Sequence, residues 1–292
     1  MLQNVSRRRI ELADRGIALA LLDWGGSGPL VILSHANGFC AAMWDEVATA
    51  LSQSYRVVGF DWRGHGDSDA PPPPDAYVWD EFVADLVALG EALVPELGSG
   101  RPAWAIGHSF GGTVSMVAAA TRPDLFGRVA MLDPVLIPPE AANLPERAER
   151  VNFMADIARK RRHVWPSRED VRASWQTRPP FEHWTPTALD LYLDEGLRDR
   201  EDGQVELKCS GEVEAAVFGN RSHWNLWEMA ERLSVPALLL FAAKGHFVRT
   251  VVEELARRAA DLRVVDVPAG HLLPMEAPEL VAARLLEFGK EG

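Results

Sequence analysis

A serine in a glycine-rich turn carries the clearest chemical signal in this sequence. Ser109 lies in GHSFG at 107–111, between an apolar segment typical of a strand and a segment of small residues typical of a helix. In that context G-x-S-x-G predicts a sharp turn that forces the serine into strained backbone geometry. Its hydroxyl then projects beside free N–H groups at a helix N-terminus, which stabilise negative charge. We predict that Ser109 is a nucleophile; the plainer alternative is an incidental serine in a tight turn.

A histidine near the C-terminus fits the role of a general base. His271 follows Gly270 in VPAGHLLPMEAPEL, between a predicted strand at 262–267 and a predicted helix at 278–288. A flexible glycine before the histidine would let the imidazole reach across the sheet edge to the serine. The alternative is a surface-loop histidine without a catalytic role.

The elements that must position these residues alternate between strand and helix. LVILS at 30–34 is a short, mostly apolar run, which is typical of a parallel strand buried on both faces. The alternation predicts an α/β fold that opens with an antiparallel pair of strands. The predicted strands are 9–12, 17–23, 30–34, 56–60, 103–107, 129–133, 235–242 and 262–267, and the predicted helices are 43–51, 79–97, 110–121, 250–260 and 278–288.

The alternation stops for about a hundred residues, which is too long for a loop within a compact domain. Residues 135–234 are rich in charged residues and aromatics, and helical patterns occur at 145–161, 168–175 and 186–195. We therefore predict a core formed by 1–134 and 235–292, with 135–234 inserted as a helical cap. Five of the ten tryptophans lie in this segment: Trp165, Trp175, Trp184, Trp224 and Trp227.

Four motifs together resemble the α/β-hydrolase superfamily: SHANGF (34–39), DWRGHGDSD (61–69), GHSFGG (107–112) and GHLLPMEAPE (270–279). The resemblance implies a mostly parallel, eight-stranded sheet with helices on both faces, and a Ser–acid–His triad. It also implies an oxyanion hole made by two backbone amides, one of them from Phe110. The family's commoner form has glycine directly after the histidine of the first motif, whereas Ala36 stands here. The second amide is therefore left open between Asn37, Gly38 and Phe39, and we favour Phe39.

The acidic member of the triad is where this sequence departs from the commoner pattern. Most relatives place an Asp after the seventh strand, but the matching stretch FAAKGHFV has Gly245 there and no carboxylate before Val252. Some members carry the acid after the sixth strand, where this chain has Asp133, followed by Pro134. Carboxyl ends of parallel strands meet at one sheet edge. We predict that Asp133 is the acid; a turn-capping Asp is the alternative.

The other histidines and charged residues of these motifs are interpreted as structural. His65 and Asp67 are expected to hydrogen-bond within their own loop, and Asp61 and Arg63 are expected either to pair with each other or to anchor that loop. His108 is expected to support packing. His35 is expected to shape the loop of residues 35–39, which is called the oxyanion loop below. His246 follows the seventh predicted strand and is close enough in sequence to approach the site, although its flanks do not require it.

These residues predict a serine hydrolase that cleaves a carboxylic ester or lactone through an acyl-enzyme, with no metal or organic cofactor. The expected partner is a small-molecule acyl substrate, in a pocket formed by Asn37, Trp175, Phe181 and Trp184. Epoxide hydrolases and haloalkane dehalogenases of this fold use an Asp nucleophile, so the serine argues against them. Other acyl or C–C bond chemistry on the same triad (hydrolase, transferase or perhydrolase) and a non-catalytic binding protein are the alternatives.

The composition of the chain disfavours several classes of partner and site. The chain has 42 acidic and 30 basic side chains, a formal charge of −12, which disfavours nucleic acid as a partner. No apolar run approaches the ~20 residues of a membrane span, and the N-terminus lacks the apolar stretch of a signal peptide. The two cysteines, Cys40 and Cys209, form no zinc-binding pattern. We expect a cytoplasmic protein with reduced thiols; the sequence does not specify its oligomeric state.

Overall fold

The computed structural model describes residues 2, 4–142, 144–179, 181–220 and 222–290. Its first half alternates strands and helices as predicted. These elements are β1 (Ser6–Leu12), β2 (Ile17–Gly25), β3 (Leu30–Ser34), α1 (Asp45–Leu51), β4 (Arg56–Phe60), α2 (Trp79–Leu97), β5 (Ala103–His108), α3 (Phe110–Thr121) and β6 (Phe126–Leu132).

Strand β1 begins earlier than predicted, because its first residues are arginines on an exposed sheet edge. Arg7, Arg8 and Arg9 pair with acidic side chains of other elements, such as Arg7 with Glu195 at 2.6 Å. Charged side chains are a common feature of edge strands, since they discourage further strand pairing.

The segment between β6 and the next strand of the main sheet, Ala237–Ala242, is called the insertion below and contains the three predicted helices and two further ones. Polar residues cap several of these helices; Thr185, for example, accepts a hydrogen bond from the Ala188 N–H. A small antiparallel sheet in the order β7-β9-β8, which the sequence analysis did not predict, joins them. The elements are α4 (Pro145–Lys160), β7 (Val164–Trp165), α5 (Arg168–Trp175), α6 (Pro186–Glu195), β8 (Leu197–Asp199), β9 (Val205–Leu207), α7 (Gly211–Gly219) and α8 (Leu226–Arg232).

The chain then returns to the main sheet and completes it. The remaining elements are β10 (Ala237–Ala242), α9 (Arg249–Arg258), β11 (Leu262–Val267), α10 (Leu273–Glu276) and α11 (Pro278–Gly289). The main sheet has eight strands in the order β1-β2-β4-β3-β5-β6-β10-β11. The β1–β2 and β2–β4 pairs are antiparallel and the other pairs are parallel, so the predicted α/β-hydrolase fold is confirmed.

Apolar side chains fill both faces of this sheet. Helices α2 and α3 pack on one face through residues such as Phe82 and Val114, and α1 and α11 pack on the other through Leu51 and Leu285. The carboxyl ends of β3, β5 and β6 therefore lie at one edge, where ligands usually bind in such sheets. The loops that follow these strands carry Asn37, Ser109 and Asp133.

Candidate active site

The turn between β5 and α3 holds Ser109 in the strained geometry that its motif predicts. Ser109 has φ 54° and ψ −118°, a conformation that costs about 1–3 kcal/mol in a non-glycine residue. A Cβ at Gly107 would lie 2.3 Å from the Gly111 carbonyl oxygen, and one at Gly111 would lie 2.6 Å from that of His35. Glycine is therefore required at both positions for this close packing.

The structure places His271 next to this serine. The distance from His271 Nε2 to Ser109 Oγ is 2.9 Å. The carboxylate of Glu276 braces the histidine loop, because it accepts hydrogen bonds from the N–H of Gly270 (2.6 Å) and of Leu272 (3.1 Å). A Cβ at Gly270 would lie 2.6 Å from Glu276 Oε2, so a larger residue there would require the Glu276 carboxylate to move.

Asp133 completes a hydrogen-bonded line through these residues. Its Oδ2 lies 2.6 Å from His271 Nδ1, and its Oδ1 accepts the Ala242 N–H at 3.1 Å. Asp133 is 1% exposed and has φ 42°. Because a carboxylate only accepts, His271 Nδ1 carries the proton and Nε2 is free to accept from the Ser109 hydroxyl. The three residues thus have the order and protonation that nucleophilic catalysis requires.

Gly245 occupies the place from which the commoner acid would reach the same histidine. A Cβ built on Gly245 would lie 3.2 Å from Asp133 Oδ2. The two alternative positions for the acid therefore converge on one point beside the imidazole. Asp133 fills that point from the sixth strand in sheet order.

The loop after β3 corrects the prediction for the second oxyanion donor. The Phe39 N–H donates to the Ala36 carbonyl at 3.3 Å, and the Gly38 N–H donates to His65 Nε2 at 3.0 Å. Both amides are therefore engaged, which does not fit Phe39 as the donor. Among the described residues, no acceptor is found for the N–H of Asn37 or Phe110. Asn37 is thus the one of the three loop residues left open by the sequence whose N–H has no acceptor in the described part of the chain.

Two further histidines surround His271. His108 Nε2 donates to the His271 carbonyl at 2.8 Å, and burial together with the neighbouring His271 lowers the His108 pKa to about 3. His246 contacts the His271 ring at 5.1 Å between centroids, and its pKa is lowered by burial and then by His271. Phe247 packs edge-on against the same ring. His271 is therefore surrounded by neutral rings. The sequence left open whether His246 approaches the site, and the structure places it in contact with His271.

The aromatic residues predicted for the pocket form one cluster in the insertion. Trp175 stacks on Phe181 at 4.7 Å with an interplanar angle of 5°, and Phe181 contacts Trp184 edge-on. The cluster reaches the oxyanion loop through Tyr192 and Trp184, whose rings contact Phe39. The side chain of Asn37, also predicted for the pocket, instead points to the backbone of the insertion, where its Nδ2 donates to the Glu214 carbonyl at 3.0 Å.

The loop of 61–69 supports the oxyanion loop from the core side. Asp61 accepts the N–H of Ala41 (2.7 Å) and of Asp67 (2.9 Å), and burial raises its pKa to about 6. Arg63 makes two hydrogen bonds to the buried Asp85. No local pattern predicts this pair, because Asp85 lies in α2, some 20 residues further along the chain. These contacts agree with the architectural role predicted for the loop.

No group of three or more His, Cys, Asp or Glu side chains within the described ranges is arranged to hold a metal ion. In the same part of the chain, every helix is too short or too polar to cross a membrane.

Sequence comparison agrees with this geometry at the level of the family. Residues 29–278 match the family model described as the alpha/beta hydrolase fold, and the chain belongs to that family.

Individual relatives are distant. The chain is 26% identical to the "probable oxidoreductase EphD" of Mycobacterium tuberculosis, in an alignment covering 94% of this chain and 48% of that protein, so it spans about half of that relative's length. It is 28% identical to epoxide hydrolase A of the same organism, with 94% of each chain covered. The crystal structure of E-2-(acetamidomethylene)succinate hydrolase superposes with a TM-score of 0.82 at 23% identity, covering 98% of this chain and 99% of that one, which is a similarity of fold.

Proposed function

We propose that this protein is a serine hydrolase that cleaves a carboxylic ester or lactone through an acyl-enzyme. The observation that carries the proposal is the continuous hydrogen-bonded line from Ser109 Oγ through His271 to Asp133. The substrate is a small acyl compound, whose carbonyl binds beside Ser109.

Acylation begins when Ser109 Oγ attacks the carbonyl carbon and His271 Nε2 takes the hydroxyl proton. The carbonyl π electrons move to oxygen, and the resulting oxyanion is bound by the N–H groups of Asn37 and Phe110. Asp133 stabilises the imidazolium that forms at His271. The tetrahedral intermediate then collapses, the C–O bond to the alcohol breaks, and the imidazolium protonates the departing oxygen.

Deacylation repeats these steps with water as the nucleophile. His271 Nε2 removes a proton from water while the hydroxide attacks the acyl carbon of the Ser109 ester. The second oxyanion occupies the same two amides, and the imidazolium returns its proton to Ser109 Oγ as the acid leaves. One oxyanion donor typically contributes about 3–4 kcal/mol to such a transition state.

The similarity to epoxide hydrolase A does not extend the proposal to epoxides. Attack by Ser109 on an epoxide carbon would form an ether, which has no carbonyl for water to attack. An ester intermediate on Ser109 is hydrolysable, and it arises only from an acyl substrate. The chemistry of the nucleophile therefore favours acyl transfer to water.

The test is turnover of a nitrophenyl ester series by the wild-type protein and by Ser109→Ala. We expect measurable hydrolysis by the wild type and a loss approaching ~10⁶ in turnover in the variant, as in the best-studied triad. Ser115→Ala is a matched control, because Ser115 lies on the same helix and its Oγ bonds Ser34 Oγ at 2.9 Å, away from His271. Cleavage of a vinylogous diketone or perhydrolysis in the absence of ester turnover would contradict the proposal.

A further inference from the structure

Both polar groups of Gly38 in the oxyanion loop are held by side chains from opposite sides. His65 of the core accepts a hydrogen bond from the Gly38 N–H at 3.0 Å. The hydroxyl of Tyr192, in the insertion, donates to the Gly38 carbonyl at 2.8 Å. Gly38 has φ +82°, and a Cβ there would lie 3.0 Å from Glu214 Oε1. The backbone is thus fixed in a conformation that other residues rarely adopt, although glycine has the freedom to leave it.

The neighbouring peptide, which carries the Asn37 N–H, is fixed from the core. The Ala36 carbonyl accepts His35 Nδ1–H at 2.7 Å and the Phe39 N–H at 3.3 Å. In a trans peptide the N–H points away from the carbonyl, so these two bonds aim the Asn37 N–H in the opposite direction. The aim of this amide therefore depends on the loop keeping its turn through Gly38 to Phe39.

Tyr192 is well placed to preserve that turn. It is 2% exposed, and its ring contacts Phe39 at 5.3 Å and stacks on Trp175 at 5.4 Å. The packing of the Tyr192 ring inside the insertion therefore holds its hydroxyl beside the Gly38 carbonyl. The insertion makes a further hydrogen bond with this loop, from Asn37 Nδ2 to the Glu214 carbonyl.

The core partner has one fixed role at neutral pH. His65 Nδ1 donates to the Arg63 carbonyl at 2.9 Å, which leaves Nε2 as the acceptor for Gly38. Burial lowers the pKa of His65 to about 4, so the ring keeps this acceptor near pH 7.

We infer that Tyr192 is a positioning residue that couples the seating of the insertion to the oxyanion hole, by fixing the Gly38 carbonyl and with it the aim of the Asn37 N–H. The inference rests on the proposed acyl hydrolysis. With Tyr192 bonded, the oxyanion loop has its catalytic shape. Without the hydroxyl, the Gly38 carbonyl loses its 2.8 Å partner, and the peptide that carries it is held at its other end by the longer, 3.3 Å bond from the Phe39 N–H to the Ala36 carbonyl, so the turn loosens.

The test is Tyr192→Phe, which removes one oxygen and keeps the ring. Deleting an oxyanion donor costs ~10²–10³ in turnover, and a misaimed donor should lose a part of this, about tenfold in kcat. KM should change less than twofold. The inhibition constant of an alkyl boronic acid, which forms a tetrahedral anion on the serine, should rise by about the same factor as kcat falls.

Two controls separate positioning from general loosening. Tyr77→Phe removes another buried hydroxyl that donates to a backbone carbonyl, that of Pro71, at the same 2.8 Å. Val171→Ala opens a cavity in the insertion at a fully buried position that has no bond to Gly38. Both should lower the melting temperature at least as much as Tyr192→Phe and leave kcat and boronate inhibition near wild type.

The outcomes are distinct. Suppose that the wild type hydrolyses esters and that Tyr192→Phe has the same kcat and the same inhibition by the boronate. That result would overturn the inference and leave the proposed function standing. An equal loss of kcat in Val171→Ala would also overturn it, because loosening of the insertion alone would then be sufficient. No ester turnover by the wild type would overturn the proposed function, and this inference with it.

Discussion

Replacing Asp133 with Asn changes one atom at the centre of the site. In the wild type, Oδ1 accepts the Ala242 N–H and Oδ2 accepts His271 Nδ1–H. An asparagine amide has only one oxygen, so it satisfies only one of these donors. If the oxygen faces Ala242, the amide NH₂ faces His271, and the imidazole must place its proton on Nε2.

That tautomer prevents Nε2 from accepting the Ser109 proton. The opposite orientation of the amide would set its NH₂ against the Ala242 N–H, which leaves two buried donors without an acceptor at about 1–3 kcal/mol each. The structure therefore favours the inactive tautomer. The same substitution in a protease triad lowered turnover by ~10⁴, equivalent to about 5.5 kcal/mol of transition-state stabilisation.

We expect Asp133→Asn to reduce kcat for a nitrophenyl ester by roughly 10²–10⁴ with little change in KM or melting temperature. Asp266→Asn is a suitable control, because Asp266 is an exposed residue of β11 whose ion pair with Arg249 is worth little. Turnover of Asp133→Asn close to that of the wild type would refute the assignment of Asp133.

A second test supplies the carboxylate from position 245 instead of position 133. Gly245→Asp on the Asp133→Asn background places a Cβ 3.2 Å from the position of Asp133 Oδ2. The same Cβ would lie 3.0 Å from Ala242, so the loop must shift by a few tenths of an ångström. We expect partial recovery of kcat, whereas no recovery in a folded double variant would contradict the proposed equivalence of the two positions.

Three further predictions concern residues around the site. Glu276→Gln should lower kcat about tenfold at similar KM, since one of the two N–H groups flanking His271 loses its acceptor; unchanged steady-state kinetics would argue against this brace. His65 is neutral when folded, with a pKa of about 4 against about 6.5 unfolded, so protons favour unfolding and its contribution is lost as pH falls below 6.5. The free energy of unfolding, measured in urea, should fall between pH 7 and pH 5 by about 2 kcal/mol less in His65→Gln than in the wild type. An equal fall in both proteins would exclude this linkage. Phe181→Leu should shift the preference along an acyl-chain series, more than Val171→Ala does; identical profiles would place the acyl pocket elsewhere.

The parts of the site that the sequence predicted are those determined by local patterns. The geometry of Ser109 follows from its glycines, whose absent side chains leave room for neighbouring backbone. Asp133 follows from strand order, because the carboxyl ends of parallel strands share one edge and Gly245 removes the competing acid. The assignment of Asp133 also uses the resemblance to α/β-hydrolases, some of which carry the acid after the sixth strand.

The oxyanion loop was harder to predict, because its shape depends on distant contacts. Phe39 was favoured over Asn37 from the motif alone. The amides of Gly38 and Phe39 are engaged by His65, 27 residues away from Gly38, and by the turn at Ala36, while Tyr192 enters from the insertion. No local pattern encodes these partners.

The insertion shows a second limit of the same kind. Its strands β7, β8 and β9 contain only two or three residues each, which is too short for an alternating pattern to be recognised. Strand β1 was predicted too short because its arginines resemble a solvated segment, and their acidic partners lie far along the chain.

The central claim is that Ser109 carries the acyl group between the two halves of the reaction. Rapid mixing with nitrophenyl acetate, acid quenching and peptide mass spectrometry would measure this directly. The account predicts a burst of nitrophenol release no larger than one equivalent per protein and an acetyl group on the peptide that contains Ser109, absent in Ser109→Ala. Steady ester turnover with the acetyl group on another residue, or with turnover retained in Ser109→Ala, would contradict it.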